Sequence, residues 1–533
     1  MQLLYSAPDE MKLRPYQQGA IDSIYSHFST KSGNPIVALP TGTGKSVVIG
    51  GFIRDVFTRW QGQRIVVATH VKELIEQNHQ KMVSLWPSAP AGIFSASVGR
   101  REVAPISFVG IQTVAKHHEK FGKVNLLIVD ECHLISPSGN TLYQKFIAGL
   151  KQANPHLKVI GLTATPYRLG QGMLTDGGIF DDICFDLTER HAFNRLIAEG
   201  YLCPLISKHT STQLDVSNVK KSGGEYNQHE LQAAVDKSPI THAALEETIL
   251  AGHDRKHWLI FAAGIDHARH ISEMLNMMGV SCAVVTGEMS KPDREAVLRD
   301  YKQGKYRAVV NNMVLTTGFD FPAIDLIAML RPTSSPSLWV QMCGRGTRPY
   351  DGKENCLILD FAGNTRRLGP INDPVLPRKK GKGGGGTAPV RLCDKCQTYS
   401  HASAKVCENC GFEFPRNSKL HAVASCEAII ADDLPQIVEF QVTQVEYKKH
   451  QKAGKPPSLR VTYICGLRRF DEWICLEHPG YAGVKARAWW NDRASPPPPE
   501  TIEEALQRTT ELTVPSTIRV WINKSHPEVL GCE

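Results

Sequence analysis

The feature that most constrains this chain is an alternation that occurs twice. Short runs rich in β-branched residues take turns with amphipathic stretches. The first set is PIVALP (35–40), RIVVATH (64–70), ISFVG (106–110), NLLIVDE (125–131) and KVIGLTAT (158–165). Each run is too short for a buried helix and is apolar throughout, the pattern of a strand covered on both faces. Between them, Val48, Phe52, Val56 and Trp60 are spaced for one face of a helix. The second set is HWLIFAAG (257–264), SCAVVTG (281–287), YRAVVNNMVL (306–315), LIAMLRPT (326–333) and NCLILDFAG (355–363). Such alternation requires parallel strands with helices packed on both sides. The expected fold class is therefore α/β, with two tandem parallel-sheet lobes over 1–208 and 209–376.

After the second lobe the periodicity stops. PRKKGKGGGGTAPVR (377–391) carries four consecutive glycines and basic residues without one acid, which reads as a flexible basic linker. A compact cysteine module (392–416) and a small β-rich α+β domain (421–533) are expected to follow. With 533 residues, 42% hydrophobic and 21% charged, the chain holds several buried cores and is not wholesale disordered. It has no apolar run of about 18 residues, so no membrane span is expected. Its start lacks the basic-then-apolar layout of a secretory signal, and the expected location is cytoplasmic. The net charge of +8 allows an anionic partner such as nucleic acid without requiring one.

LPTGTGKS (39–46) joins a buried strand to a helix. Gly42 and Gly44, with Thr41 and Thr43, let backbone N–H groups close around phosphates at a helix start. Lys45 can reach the outer phosphates and the Ser46 hydroxyl can ligate Mg²⁺. Leu39 stands where this loop usually has its first glycine. Downstream, NLLIVD emerges at Asp130-Glu131-Cys132-His133, a carboxylate pair at the carboxyl end of a parallel strand. Asp130 would hold Mg²⁺ and Glu131 would deprotonate the attacking water. The bland alternative is a solvated strand end.

Together LPTGTGKS and DECH resemble superfamily 2 helicases of the DExH type, which implies two RecA-like lobes, ATP and Mg²⁺ as cofactors, and a nucleic-acid-dependent ATPase. Further matches follow in order. Arg14 to Gln18 resembles the adenine-reading segment, with Arg14 and Gln17 as its carriers. Thr163-Ala164-Thr165 resembles the motif linking hydrolysis to lobe movement. Thr316 to Pro322 resembles the second-lobe motif that touches nucleotide and strand, giving Gly318 and Asp320 a cofactor role. Gln341 to Arg348 resembles the arginine-finger motif: Arg345 and Arg348 would stabilise the transferred phosphoryl group, and Gln341 would help place it or the water. The resemblance also implies nucleic-acid contact at Thr69, Lys72, Gln112, Thr113, Thr286 and Thr316.

Cys393-x2-Cys396-x10-Cys407-x2-Cys410 can place four thiolates about a structural Zn²⁺, with Gly411 easing the second turn. Two redox pairs are the alternative. In the last region Trp473, Trp489, Trp490 and Trp521 are expected in a small core rather than as base-stacking residues among Lys448, Lys449, Lys485, Arg487 and Arg493.

The stretches LRPYQQ, LIVDECH, GLTATPYRLG, VLTTGFD, LIAMLRPT and LILDFAGN carry a closer resemblance to the RadD-like family of DNA-repair helicases. That resemblance implies DNA as substrate, single-stranded or branched, with single-strand-binding protein and recombinase as partners and no membrane. After residue 392 the chain departs from the family, which leaves those partner contacts open. The expected function is an ATP-dependent DNA helicase or translocase in repair, recombination or phage replication. The alternatives are an RNA helicase, an ATP-gated clamp that unwinds nothing, and the motor subunit of a restriction system.

Overall fold

A computed structural model describes residues 13–374 and 435–532 apart from 137–140, 169–171, 223, 317, 453, 467 and 525, together with parts of 390–414. The anticipated linker lies outside the described residues save its last two, and so does Cys396.

The first lobe is an eight-stranded sheet. Its strands are β1 (Pro35–Ala38), β2 (Ile65–Thr69), β3 (Ala91–Ser95), β4 (Arg100–Arg101), β5 (Ile106–Gly110), β6 (Leu126–Asp130), β7 (Lys158–Thr163) and β8 (Asp182–Asp186). They lie in the order β8-β1-β7-β6-β2-β5-β3-β4, parallel except for β4. Successive residues feed opposite cores: Ile65 and Val67 pack on one face, Val66 and Ala68 on the other. Helices α1 (Pro15–Thr30), α2 (Lys45–Arg59) and α3 (Lys72–Leu85) cover the first face.

The second lobe repeats the plan with β9 (Leu205–Ser207), β10 (Trp258–Ala262), β11 (Cys282–Val285), β12 (Ala308–Asn311), β13 (Leu326–Leu330) and β14 (Cys356–Asp360). All are parallel, in the order β9-β14-β13-β10-β12-β11, with a core on each face. The second sheet thus begins before residue 209, because Leu205–Ser207 pairs with β14. β3, β4, β8 and β9 have no counterpart among the expected runs. β8 reads Asp-Ile-Cys-Phe-Asp and is half-buried at the sheet edge, where acids at both ends mask a strand signal.

The C-terminal region has two three-stranded antiparallel sheets. One holds Gln444–His450, Ser458–Cys465 and Arg468–Ile474; the other holds Ile437–Gln441, Thr517–Trp521 and Glu528–Cys532. Helices Tyr481–Asn491 and Ile502–Gln507 close their core, which buries Trp489 and Trp490. Trp521 is also buried, whereas Trp473 is 47% exposed.

This domain docks on the first lobe. Tyr481 lies against α1 at Gly19, where an added Cβ would come within 2.7 Å of the ring. Around that notch Arg195 bonds Glu199 and Glu528, each at 2.9 Å, and Lys485 reaches Glu199 at 3.2 Å. A larger residue at position 19 must push the two surfaces apart, at about 1–3 kcal/mol for such overpacking. Gly19→Val is expected to speed protease cleavage of the C-terminal domain while both lobes resist as before, read by limited proteolysis.

Candidate active site

Two left-handed glycines shape the loop after β1. Gly42 has φ +93° and Gly44 has φ +83°, a region that side chains with a Cβ resist. The turn delivers Lys45 to the first position of α2, so the loop's N–H groups and the helix start face one space. Lys45 Nζ lies 3.8 Å from Glu131 Oε1 and 3.4 Å from the Leu39 carbonyl. Over the loop, the Tyr16 hydroxyl and the Gln17 amide both donate to the Thr43 carbonyl, at 2.7 and 3.0 Å.

Ser46 and Asp130 are joined through a residue that the motifs do not name. The Ser46 hydroxyl donates to Asn78 Oδ1 at 2.6 Å, and Asn78 Nδ2 donates to Asp130 Oδ2 at 2.7 Å. Asn78 sits among Leu74, Ile75 and Met82 on the buried stripe of α3. A lone amide in an apolar stripe was the available signal, since a buried polar group needs partners. A hydroxyl and a carboxylate held on one amide are oxygen donors suited to Mg²⁺. Glu131 Oε2 is buried with the His133 ring 3.4 Å away, and Glu131 itself is left-handed at φ +51°. With the glycine cradle, these features fit a Mg²⁺–triphosphate.

Burial raises the Asp130 carboxyl, to about 6, and the adjacent Glu131 adds to the rise. Burial acts on Glu131 in the same sense, but Lys45, His133 and Arg345 outweigh it and hold Glu131 below the ordinary carboxylate range.

The second lobe closes the site. His133 Nδ1 lies 2.9 Å from the Thr163 hydroxyl and 3.4 Å from Glu131, while its Nε2 lies 2.9 Å from Gln341 Nε2. This ring therefore links the carboxylate pair, the Thr-Ala-Thr segment and the other lobe. The Thr347 hydroxyl donates to the Thr41 carbonyl at 2.9 Å, and Gly344 packs on Thr41. Arg345 donates to the Phe319 carbonyl at 2.7 Å; burial lowers its pKa, and Arg348 beside it acts in the same direction. Arg348 passes over Gly42 and pairs with Asp320 at 2.8 Å.

Among the sequence-predicted residues, Gln17, Thr41, Gly42, Thr43, Gly44, Lys45, Ser46, Asp130, Glu131, Gln341, Arg345 and Arg348 gather here. Arg14 instead donates to the Tyr16 hydroxyl at 3.2 Å and lies over the Tyr201 ring. Asp320 is exposed and reaches the site only through Arg348. Gly318 packs on Glu73, and its carbonyl accepts from Gln77.

The positions expected at nucleic acid fall at the carboxyl ends of two paired strand couples, Thr69 and Gln112–Thr113 after β2 and β5, and Thr286 and Thr316 after β11 and β12. Thr69, Thr286 and Thr316 are buried, and the Thr316 hydroxyl donates to the Met313 carbonyl. Gln112 is exposed, and Thr113 accepts from the Ala96 N–H. Lys72 lines a cleft of about 210 Å³ between the lobes, spanned by Lys291–Glu76 and Arg294–Glu73, both at 3.2 Å.

In the cysteine module the sulfurs of Cys393, Cys407 and Cys410 lie within 4.8 Å of one another. Gly411 is left-handed at φ +68°, and its N–H donates to the Cys407 carbonyl.

Comparison with known proteins bears on this geometry. Residues 10–168 match the family model "Type III restriction enzyme, res subunit", and residues 241–349 match "Helicase conserved C-terminal domain". The chain is 30% identical over 385 residues to the "Putative mitochondrial ATP-dependent helicase irc3" of Schizosaccharomyces pombe, covering 69% of this chain and 60% of that one. It is 26% identical over 386 residues to the "Putative ATP-dependent helicase IRC3" of Saccharomyces cerevisiae, covering 70% and 54%. The chain thus spans a little over half the length of these relatives. In fold it is similar to the fragment structure of a "putative HsdR subunit of a type I restriction enzyme" from Vibrio vulnificus, with TM-score 0.50, 19% identity, and 68% and 67% of the two chains covered. No helix among the described residues is long and apolar enough to cross a membrane.

The raised Asp130 carboxyl has a consequence for stability without Mg²⁺. A carboxyl lifted in the folded state contributes stability below its unfolded pKa of 3.8, and that contribution is lost as pH rises through about 6. Asp130→Asn keeps an uncharged partner for Asn78. It is expected to gain about 1–3 kcal/mol over wild type at pH 7 and nothing near pH 3.5. Denaturation midpoints in EDTA at the two pH values check this, and an equal difference at both contradicts it.

Proposed function

The chain belongs to the superfamily 2 helicases, and on that premise we propose that it is a nucleic-acid-dependent ATPase that moves on or remodels DNA. The observation that carries the reading is one buried cluster built from both lobes. Lys45, Asp130 and Glu131 of the first face Gln341 and Arg345 of the second, with His133 bridging them.

Mg²⁺–ATP would be held by the Gly42–Gly44 backbone, Lys45, Ser46 and Asp130, and would supply the phosphoryl group and the charge that polarises it. Glu131, kept ionised by Lys45 and His133, is the base that would accept a proton from water. Arg345 and Arg348 bring positive charge from the second lobe to the phosphate loop. Gln341 and His133 form the path by which a change at Glu131 reaches the other lobe. Repeated tightening and release of this seam would step the lobes along a phosphate backbone. DNA as the polymer, and repair or recombination as the setting, rest on the RadD-like motifs; single-strand-binding protein and recombinase are the partners those motifs imply.

Lys45→Ala and Glu131→Gln are each expected to lower nucleic-acid-stimulated ATP hydrolysis by about 100-fold or more. Both should fold as wild type does by circular dichroism. Normal turnover in either variant sinks the assignment. Stimulation measured with single-stranded, duplex and forked DNA and with RNA identifies the polymer.

The cysteine module is the second part of the proposal. Three thiols this close, with a backbone N–H turned onto a cysteine carbonyl, suit a tetrahedral thiolate site for structural zinc. Cys396 is the fourth ligand in this reading and lies outside the described residues. Metal analysis of purified protein should find about one zinc per chain, lost in Cys407→Ser. Zinc-free protein that retains its fold argues against the site.

A further inference from the structure

Between Tyr447 and Phe470 the chain has seven lysines and arginines and no aspartate or glutamate. This stretch makes most of the C-terminal sheet formed by Gln444–His450, Ser458–Cys465 and Arg468–Ile474. Register puts Lys448, Arg460 and Trp473 side by side in one row across the three strands. The next row toward the hairpin tip starts with His450, whose ring lies 6.3 Å from that of Trp473. Lys452 and Lys455 extend the same end in the exposed turn.

The two faces of this sheet differ. Leu459, Val461, Tyr463, Phe470 and Ile474 are buried under the helices. Lys448, His450 and Trp473 are exposed on the opposite face. Trp473 is not needed for the core: it is 47% exposed on this outer face.

An exposed indole costs solubility, and Lys452, Lys455, Arg460, Arg468 and Arg469 crowd positive charge together, while Lys448 pairs with Glu446 at 2.9 Å and Lys449 with Glu503. A partner with flat apolar rings strung on a polyanion resolves both at once, since bases stack on the indole while phosphates meet the lysines and arginines. Duplex DNA keeps its bases stacked inside and offers the indole nothing. We propose that this face binds a single-stranded polynucleotide, with Trp473 as the stacking platform and the Lys448–Arg460 row and the Lys452–Lys455 tip as the phosphate track. The surface lies on the docked C-terminal domain, apart from the cleft between the lobes, so it would hold a strand through both the open and the closed phase of the lobes.

The test uses the full chain without nucleotide and fluorescein-labelled oligo(dT) and oligo(U), read by anisotropy. Trp473→Ala should weaken binding to the preferred oligomer by about tenfold, and Trp473→Phe should recover most of it. Lys452→Ala with Lys455→Ala should lower the slope of log affinity against log salt by about 1.4. Unchanged affinity in Trp473→Ala, a Phe variant as weak as the Ala variant, or an unchanged salt slope overturns the proposal. So does competition by polyglutamate as strong as that by oligo(dT), because any polyanion would then serve. Whether oligo(dT) or oligo(U) shows the Trp473 dependence identifies the sugar. Lys45→Ala, measured in parallel, separates this surface from the ATPase reading: its oligomer binding should still depend on Trp473 whatever happens to hydrolysis.

Discussion

The structure turns on keeping charged groups out of water where two sheets meet. Lys45, Asp130, Glu131 and Arg345 are all buried or nearly so, and none could sit there alone without a desolvation cost of several kcal/mol. Each is tolerated because the others are present. Lys45 and His133 offset Glu131, Asn78 serves both Ser46 and Asp130, and Arg345 borrows a carbonyl from its own lobe. The cations come partly from the second sheet, so the compensation is complete only with the lobes in contact. That dependence gives the phosphate loop a mechanical partner.

The contact is specific at the level of single atoms. Thr347 donates to the carbonyl of Thr41, inside the loop itself, and Gln341 meets the imidazole that also touches Glu131 and Thr163. A change in charge at the carboxylates is therefore felt across the seam through one ring. In the interlobe cleft, Lys291 and Arg294 reach Glu76 and Glu73 on α3, the helix that also carries Asn78. One helix thus connects the oxygen donors of the site with the interlobe cleft. Exposed ion pairs of this kind are worth little singly, which suits a cleft that has to open.

Much of the fold was legible because its signals are local. Ten strands coincide with apolar runs, since a strand buried on both faces has to be apolar at every position. The loop glycines were legible because only glycine adopts their backbone readily. β8 was not, because an edge strand half-exposed to water needs no continuous apolar run. Leu205–Ser207 precedes the expected boundary at 209 yet pairs with Cys356–Asp360, because strand pairing joins residues far apart in sequence. Three tryptophans of the last domain are buried as expected and Trp473 is not, a difference set by which face of the sheet the helices cover.

What the sequence determined by itself was the set of elements and the chemical groups at their ends. Periodicity and backbone preference act over a few residues, and a strand end followed by Asp-Glu or Gly-Lys-Ser carries its chemistry wherever the fold puts it. Only the tertiary structure decided the order of strands in each sheet, the amide between Ser46 and Asp130, and the imidazole between the lobes. Those depend on partners distant along the chain, selected by packing and by the need to pair every buried polar atom, and no local pattern encodes that choice.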